Sequence, residues 1–422
     1  MYCGGCFRDN ALVAALRRAG HEALMVPLYL PLTLDEADQS AGTPIFFGGI
    51  NVYLEQQSSL FARMPRWLHR VLSSPRVLRW AAGRAARTRA ADVGDLTLSM
   101  LRGEEGRQAR ELDDLVAWLK RGRPPDVVCL SNALLAGLAR QLQRELRVPV
   151  VCFLSGEDTF LDGLPESVRE EAWDTLAGRA RGVDVFVAPS RYYADLMSRR
   201  LGLRPAQVRV VPNGIRLEGF TPAPSSPQPP VLGYFARLCP EKGLDTLVEA
   251  YLLLRRRPAG RDLRLHVGGG CGPADEPFVR GLQRRLAEAG VAESVRFLPN
   301  VDRAGKFEFF RGLTVFSVPA LYGEAFGLYL LEAWASGVPV VQPRHAAFPE
   351  LIEATGGGLV CAPGDPVALA DALERVIADP ARARELGARG LAAVERDYSV
   401  EGMASRLVAV CQEACVARKR VG

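Results

Sequence analysis

Leu321-Tyr-Gly-Glu324-Ala-Phe-Gly-Leu-Tyr-Leu-Leu-Glu332-Ala-Trp-Ala-Ser-Gly337 is the stretch that decides how this chain is read. Two carboxylates, Glu324 and Glu332, stand eight residues apart. Between them Phe326-Gly327-Leu328 opens an amphipathic run that Gly337 and Pro339 close, and this pattern predicts a helix. The residues ahead of it, Thr314 to Pro319, read as a buried strand, and Val338 to Val341 read as the next one. One carboxylate is therefore expected on the loop leaving the carboxyl end of a strand, and the other in the first turns of the helix that follows.

In an open α/β sheet, ligands bind outside the carboxyl ends of the strands. A helix start at that place offers free N–H groups to a phosphate, and carboxylates accept hydrogen bonds from sugar hydroxyls. The combination suits a nucleotide sugar. A bare pair of acidic residues at this spacing carries no such meaning, since it recurs on ordinary surface helices; the surrounding residues give it weight.

Outward from this stretch the chain reads as two α/β halves. At 422 residues it is too long for one core and fits two domains. In the first half, Asn10–Gly20 reads as a helix and Glu22–Leu30 as a strand. A mostly helical insertion fills about 55–120. Strands are expected at Pro125–Leu130, Pro149–Leu154, Asp184–Ala188 and Val208–Val211, with helices at Ala133–Leu146 and Ser167–Gly182 and one capped by Ser190. Five prolines in 222–230 forbid a helix or a central strand and mark a linker. A fresh alternation then starts at Val231–Phe235 and continues through Leu263–Val267, Val295–Leu298, Thr314–Val318, Val338–Val341 and Gly358–Val360. A Rossmann-like half normally begins with a strand before its glycine turn. Here Gly4-Gly5 comes at once, so the first strand is missing, which suggests that Met1 is an internal methionine of a longer reading frame.

Composition narrows the class. Hydrophobic residues make up 48% and charged residues 24%, as in globular proteins. No run of 18 apolar residues occurs, and no secretory leader is visible. Nine cysteines, an odd and scattered set, fit reduced thiols in the cytoplasm better than a disulfide framework. Cys3/Cys6 and Cys411/Cys415 lack neighbouring ligands, so no metal site is expected. The net charge of +5 is unevenly placed: residues 61–90 hold eight arginines, no acidic residue, and Trp67 and Trp80. Such a segment can lie on an anionic bilayer at the inner membrane face. It can equally be a solvated helical insertion with its tryptophans packed inward. No recognition motif for nucleic acid accompanies the charge.

Within Glu-x-Phe-Gly-Leu-x3-Glu-Ala-x-Ala-x-Gly-x-Pro-Val, the pair Glu324/Glu332 resembles the Glu-x7-Glu signature of the retaining glycosyltransferases of family 4, which have the GT-B architecture. The resemblance covers most of residues 1–400 and is densest in the second half. It implies two Rossmann-like domains facing each other across a cleft: 1–222 on the acceptor side, a Pro-rich linker at 223–230, 231–398 for the nucleotide sugar, and a helix at 399–422 that crosses back. Gly233-Tyr-Phe-Ala-Arg237-Leu-Cys-Pro-Glu-Lys242-Gly243 resembles the family's Gly-Arg-Leu-x-x-Glu-Lys-Gly loop, with Ala236 where a glycine is usual.

By that resemblance Arg237 and Lys242 form a cationic clamp on the donor diphosphate in place of a metal. Glu324 contacts the transferred sugar, and Glu332 the ribose. Backbone at Phe326, Gly327 and Leu328 meets the diphosphate. Gly4, Gly5 and Gly268 allow close approach to the donor, and Pro299 lies near the base. Relatives often carry a His after the strand that here is Pro149–Leu154. This chain has Ser155-Gly-Glu157-Asp158 there. Glu157 or Asp158 could serve the acceptor hydroxyl, or the two could merely cap a helix. The implied activity is retaining, metal-independent transfer of a sugar, with UDP-sugars slightly favoured as donors, no cofactor, and an acceptor that is a sugar, a lipid-linked sugar or a small molecule. The alternatives are a GT-B sugar-nucleotide epimerase and an inactive donor-binding relative.

Overall fold

Short runs rich in Val, Phe and Leu, each followed by an amphipathic stretch, fold as parallel strands, because successive parallel strands need a crossover that a helix supplies. A computed structural model describes residues 4–28, 36–46 and 90–419. The chain divides into two units, one of Gly5–Val211 with Ala404–Gly422 and one of Met1–Gly4 with Pro212–Met403. Among the described residues no helix is long and apolar enough to cross a membrane.

In the first-half unit the described strands are β1 (Val128–Leu130), β2 (Val150–Phe153), β3 (Val185–Ala188) and β4 (Val208–Val210). They pair in parallel in the order β1-β2-β3-β4. Every residue of β2 and β3 is buried, as expected for strands covered on both faces. Ser190 accepts from the Tyr193 N–H at the start of helix Arg191–Leu201, the cap the sequence predicts. The expected helix Ala133–Leu146 is a 3-10 helix over Ala133–Leu138 followed by an α-helix over Ala139–Leu146. Helix Val400–Lys419 joins this unit from Ala404 onward, where Glu413 pairs with Arg209 at 3.1 Å and Arg418 with Asp184 at 3.4 Å.

Two expectations for the N-terminal stretch are corrected. Gly4-Gly5 is not a loop ahead of the helix, because the helix runs Gly4–Arg18 and contains both glycines. Residues 21–28 form no strand, and 29–30 lie outside the described residues. Side chains take the backbone groups a ladder would use: Arg17 Nε donates to the Ala23 carbonyl at 2.8 Å and Thr43 Oγ1 to the Met25 carbonyl at 3.0 Å. The basic, tryptophan-bearing segment 61–90 falls outside the described residues except for Ala90, the first residue of helix Ala90–Arg102.

The second-half unit holds β5 (Val231–Phe235), β6 (Arg264–Gly269), β7 (Val295–Pro299), β8 (Val315–Phe316), β9 (Val340–Pro343) and β10 (Gly358–Cys361). All pair in parallel, in the order β10-β9-β8-β5-β6-β7. The sequence runs outward from β5 in one direction and from β8 in the other, so β5 and β8 flank the switch point of the sheet, where open α/β sheets bind ligands. Trp334, Tyr234, Tyr251, Phe310, Phe316 and Phe348 fill the core around it. The division between units falls before Pro212, ahead of the proline run. Residues 212–222 are tied to the second half: Ile215 bridges Ser399, its N–H donates to the Tyr398 carbonyl at 3.0 Å, and Phe220 meets Phe307 edge-on at 4.7 Å.

Candidate functional site

Two loops leave the carboxyl ends of β5 and β8, and they carry Arg237, Lys242, Glu324, Phe326 and Gly327. The first runs through Ala236 and Arg237 into the 3-10 turn Pro240–Lys242, the second from Ser317 to Gly327. The Leu321 N–H donates to the Glu241 carbonyl at 3.0 Å and stitches them together. Gly243, with φ +70°, turns the first loop into helix Leu244–Arg255. A Cβ there would lie 2.0 Å from the Pro319 carbonyl oxygen, so glycine is what allows the loops to touch.

That contact brings Lys242 to Glu324. The ammonium lies 2.5 Å from Glu324 Oε2, with the two side chains 17% and 14% exposed. It also sits over the rings of Tyr322 at 4.8 Å and Tyr329 at 5.4 Å. The hydroxyls of both tyrosines donate to the same Oε2, each at 2.9 Å. Burial pushes the Glu324 carboxyl up, but the Lys242 charge, its hydrogen bond and the two phenols outweigh burial and hold it below the ordinary range. Glu324 is thus an ionised carboxylate in a dry setting. Burial and the Glu324 charge push the Tyr322 and Tyr329 phenols well up, so both stay donors.

Gly327 follows at φ +91°, a conformation glycine alone adopts without strain, and caps helix Leu328–Ala335. No side chain caps that helix start. Phe326 is buried beside Tyr398, ring centroids 6.3 Å apart, so its ring anchors the loop and only its backbone can face a ligand. Glu332, within the helix, accepts from Lys306 at 3.0 Å. Each carboxylate of the pair thus has its own lysine.

Arg237 reaches away from this group. It forks onto Asp275 at 2.9–3.2 Å, with its own side chain 64% exposed and that of Asp275 8% exposed. Burial raises the Asp275 carboxyl, but the Arg237 bonds prevail and lower it. On β6 and β7 the structure places Gly268 and Pro299 at or near the strand ends. Gly268 is the penultimate residue of β6, and a Cβ there would sit 2.7 Å from the Phe235 ring, so its smallness serves packing. Pro299 ends β7 opposite Gly269. Its neighbour Asn300 holds both the N–H and the carbonyl of Cys271, at 3.0 and 2.9 Å.

In the first-half unit Glu157 and Asp158 open helix Glu157–Asp162, one turn past β2. Glu157 accepts from the backbone N–H groups of Ala133 and Ser155, both at 2.8 Å, and from the Tyr193 hydroxyl at 3.0 Å. Asp158 accepts from the same hydroxyl at 2.8 Å. Burial raises both carboxyls. The donors around Glu157 make it a bracket between the ends of β1 and β2, an arrangement closer to the capping alternative than to the acceptor-side one. Arg8 reaches the same edge, donating to Ser155 Oγ at 2.9 Å and to the Ser131 carbonyl at 3.0 Å, and lies over the Phe153 ring.

The structure therefore groups Lys242, Glu324, Gly327 and Leu328 at the switch point; Arg237, on the same loop as Lys242, turns to Asp275, and Gly268 and Pro299 lie on the neighbouring strands β6 and β7. Sequence reading missed Tyr322, Tyr329, Lys306 and Asp275. Only the tyrosines left a local signal, two polar-tipped aromatics two residues before and five after Glu324. Among the described residues no group of three or more His, Cys, Asp or Glu is placed to hold a metal ion.

Comparisons with known proteins bear on the family and the fold. The family model described as glycosyl transferases group 1 matches residues 220–392, and that of glycosyltransferase family 4 matches residues 47–218. A D-inositol 3-phosphate glycosyltransferase of Nocardia farcinica is 30% identical over 57% of this chain and 55% of its own length. A phosphatidyl-myo-inositol mannosyltransferase of Mycobacterium leprae is 32% identical over 50% of this chain and 55% of its own. The chain thus spans about half the length of the curated relatives it matches first. A GDP-mannose-dependent mannosyltransferase of Corynebacterium glutamicum, acting on a monoacylated phosphatidylinositol monomannoside by name, is 28% identical over 72% of this chain and 77% of its own. In fold, a sucrose-phosphate synthase of Thermosynechococcus elongatus (TM-score 0.62, 23% identity, 73% of this chain and 79% of that one) is similar. So is Anabaena HepE solved with UDP (TM-score 0.63, 19% identity, 74% and 84%). These likenesses give the architecture as GT-B, and with both family models lying side by side along it, the chain belongs to the group 1 glycosyl transferases of family 4.

Proposed function

We propose that this chain is a retaining glycosyltransferase that moves a sugar from a nucleoside diphosphate to an acceptor hydroxyl without a metal. The observation that carries the reading is the Lys242–Glu324 pair, 2.5 Å apart on two stitched loops at the switch point of the nucleotide-side sheet. Breaking the bond between sugar and diphosphate builds negative charge on the leaving group, and fixed cations stabilise that charge. Lys242 is the cation we assign to it, with Arg237 on the same loop as the second and the uncapped N–H groups at the start of helix Leu328–Ala335 adding theirs. Glu324 accepts hydrogen bonds from the sugar, and Glu332, aligned by Lys306, takes the ribose. The departing diphosphate would itself take the acceptor proton on the same face, so no nucleophile is needed. The paired carboxylates of retaining hydrolases work differently.

HepE was solved with UDP, and the Corynebacterium relative is named for GDP-mannose; both nucleotides are therefore the donors to try. Relatives named for inositol phosphates and phosphatidylinositol make a polyol, free or lipid-linked, the acceptor class we favour. A lipid-linked acceptor fits peripheral contact of residues 61–90 with a membrane, through their arginines and tryptophans. Thermal stabilisation by UDP-glucose and GDP-mannose, followed by release of the nucleoside diphosphate, tests the reading. One donor should raise the melting temperature, and Lys242→Ala and Glu324→Ala should each cut its turnover at least about 100-fold while leaving the fold intact. Near wild-type turnover in either variant would refute the assigned roles.

A further inference from the structure

Three donors converge on one oxygen. Glu324 Oε2 accepts from Lys242, Tyr322 and Tyr329 at 2.5, 2.9 and 2.9 Å, while Oε1 takes none of the three. An ionised carboxylate has about four acceptor sites spread over two oxygens, so this crowding is lopsided. The two phenols come from different elements, Tyr322 from the loop after β8 and Tyr329 from the first turn of helix Leu328–Ala335. Tyr329 is 9% exposed and braced by the rings of Phe316 at 6.0 Å and Phe348 at 6.5 Å. Packing there needs a ring but not a hydroxyl, and a buried hydroxyl costs free energy unless it is bonded. Both hydroxyls spend their hydrogen bond on Glu324.

We propose that Tyr322 and Tyr329 are positioning residues for the donor sugar: with Lys242 they occupy Oε2 of Glu324 and leave Oε1 as the one oxygen that accepts from a sugar hydroxyl. This rests on the reading of Glu324 as the carboxylate that holds the sugar. A carboxylate free to rotate would offer either oxygen and lose orientation. Pinned at Oε2, it presents one acceptor in a fixed direction, which is what distinguishes a productive sugar pose from a bound but idle one. The phenols also favour the ionised form. The other titratable groups nearby are Tyr234 at the end of β5, Cys239 and Glu241 in the turn that follows it, and Asp245 in the next helix.

The test uses the full chain and Tyr322→Phe, Tyr329→Phe and their double variant, which keep both rings. Calorimetry with UDP and GDP, and with UDP-glucose and GDP-mannose, separates nucleotide binding from sugar binding. In the double variant we expect nucleoside diphosphate affinity within about twofold of wild type, and sugar-nucleotide turnover lower by about tenfold or more, since two hydrogen bonds to a charged group are lost. The acid limb of turnover should move to higher pH, because a carboxylate stripped of two donors takes up its proton more readily. A merely structural role would move none of this pH profile. Wild-type turnover and an unmoved acid limb in the double variant, or an equal loss of UDP or GDP binding, would overturn the proposal. Glu324→Gln tells the two readings apart. If it is inactive while the double variant behaves as wild type, only the positioning role falls; if Glu324→Gln itself behaves as wild type, the sugar-holding role falls and this proposal with it.

Discussion

Replacing Lys242 by Met leaves a buried carboxylate without its counter-ion, and the structure sets the size of the effect. At 2.5 Å the pair gains about 6–7 kcal/mol of Coulomb energy at an effective dielectric of 20. Most of that only offsets the desolvation of two side chains that are 17% and 14% exposed. Removing one partner of a buried pair costs about 3–5 kcal/mol, because the other charge stays buried. Here the cost lies at the low end, about 3 kcal/mol, since Tyr322 and Tyr329 still donate to Glu324. Glu324→Gln should cost less, about 2 kcal/mol, because the ammonium keeps the faces of two tyrosine rings. The double variant should then cost about 3 kcal/mol and not the additive 5, a coupling of about 2 kcal/mol.

Urea unfolding of the four proteins, followed by circular dichroism, measures this cycle. The pH dependence supplies a second check with a definite sign. The folded Glu324 carboxyl lies below its ordinary value, so its contribution to stability is present above the unfolded pKa and is lost as pH falls through the folded one. Lys242→Met raises the folded value and should flatten the loss of stability on acidification below about pH 5. A coupling under about 0.5 kcal/mol, with unchanged acid sensitivity, would refute the pair as a buried, mutually dependent unit.

Two further outcomes test the frame around the site. Glu157→Gln keeps the shape but gives an amide N–H₂ to a place lined by donors, and should cost about 2–3 kcal/mol in urea unfolding while donor affinity stays unchanged; a stable variant would mean that the bracket between β1 and β2 is dispensable. Ala346 holds φ +54° in the loop between β9 and helix Phe348–Thr355, where a Cβ is strained. Ala346→Gly should therefore stabilise by about 0.5–1 kcal/mol, and a lower melting temperature would show that the strain is illusory.

Much of this protein is written locally. The strands β5 to β10 follow from short apolar runs separated by amphipathic stretches, and Val231–Phe235, buried but for its last residue, falls where its pattern puts it, because a parallel strand covered on both faces must be largely apolar. The Ser190 cap and the helix carrying Glu332 are equally local, set by residues within a turn of one another. The N-terminal stretch was less legible. Glu22–Leu30 has the composition of a strand, but side-chain bonds from Arg17, six residues from Ala23, and Thr43, eighteen from Met25, claim backbone groups in it.

The site divides along the same line. Sequence picked out Glu324, Glu332, Arg237 and Lys242 through the resemblance of their two runs to motifs of the family 4 glycosyltransferases. What each carboxylate touches could not be read, since its partners lie far along the chain. Lys242 is 82 residues from Glu324, Lys306 is 26 from Glu332, and Asp275 is 38 from Arg237. The strand order β8-β5-β6 makes the first and third pairs neighbours, and Lys306 comes from helix Arg303–Arg311, which leads from β7 to β8. The two tyrosines are close in sequence and still carry no signal of their role, because Tyr329 at a buried helical position reads as core and Tyr322 as an ordinary loop aromatic. Whether either hydroxyl also meets a carboxylate is decided by the loop geometry around Gly243 and Gly327, which no spacing rule contains. Sequence determined which residue types reach the carboxyl end of the sheet; tertiary structure decided which of them meet and which oxygen of Glu324 is left to work.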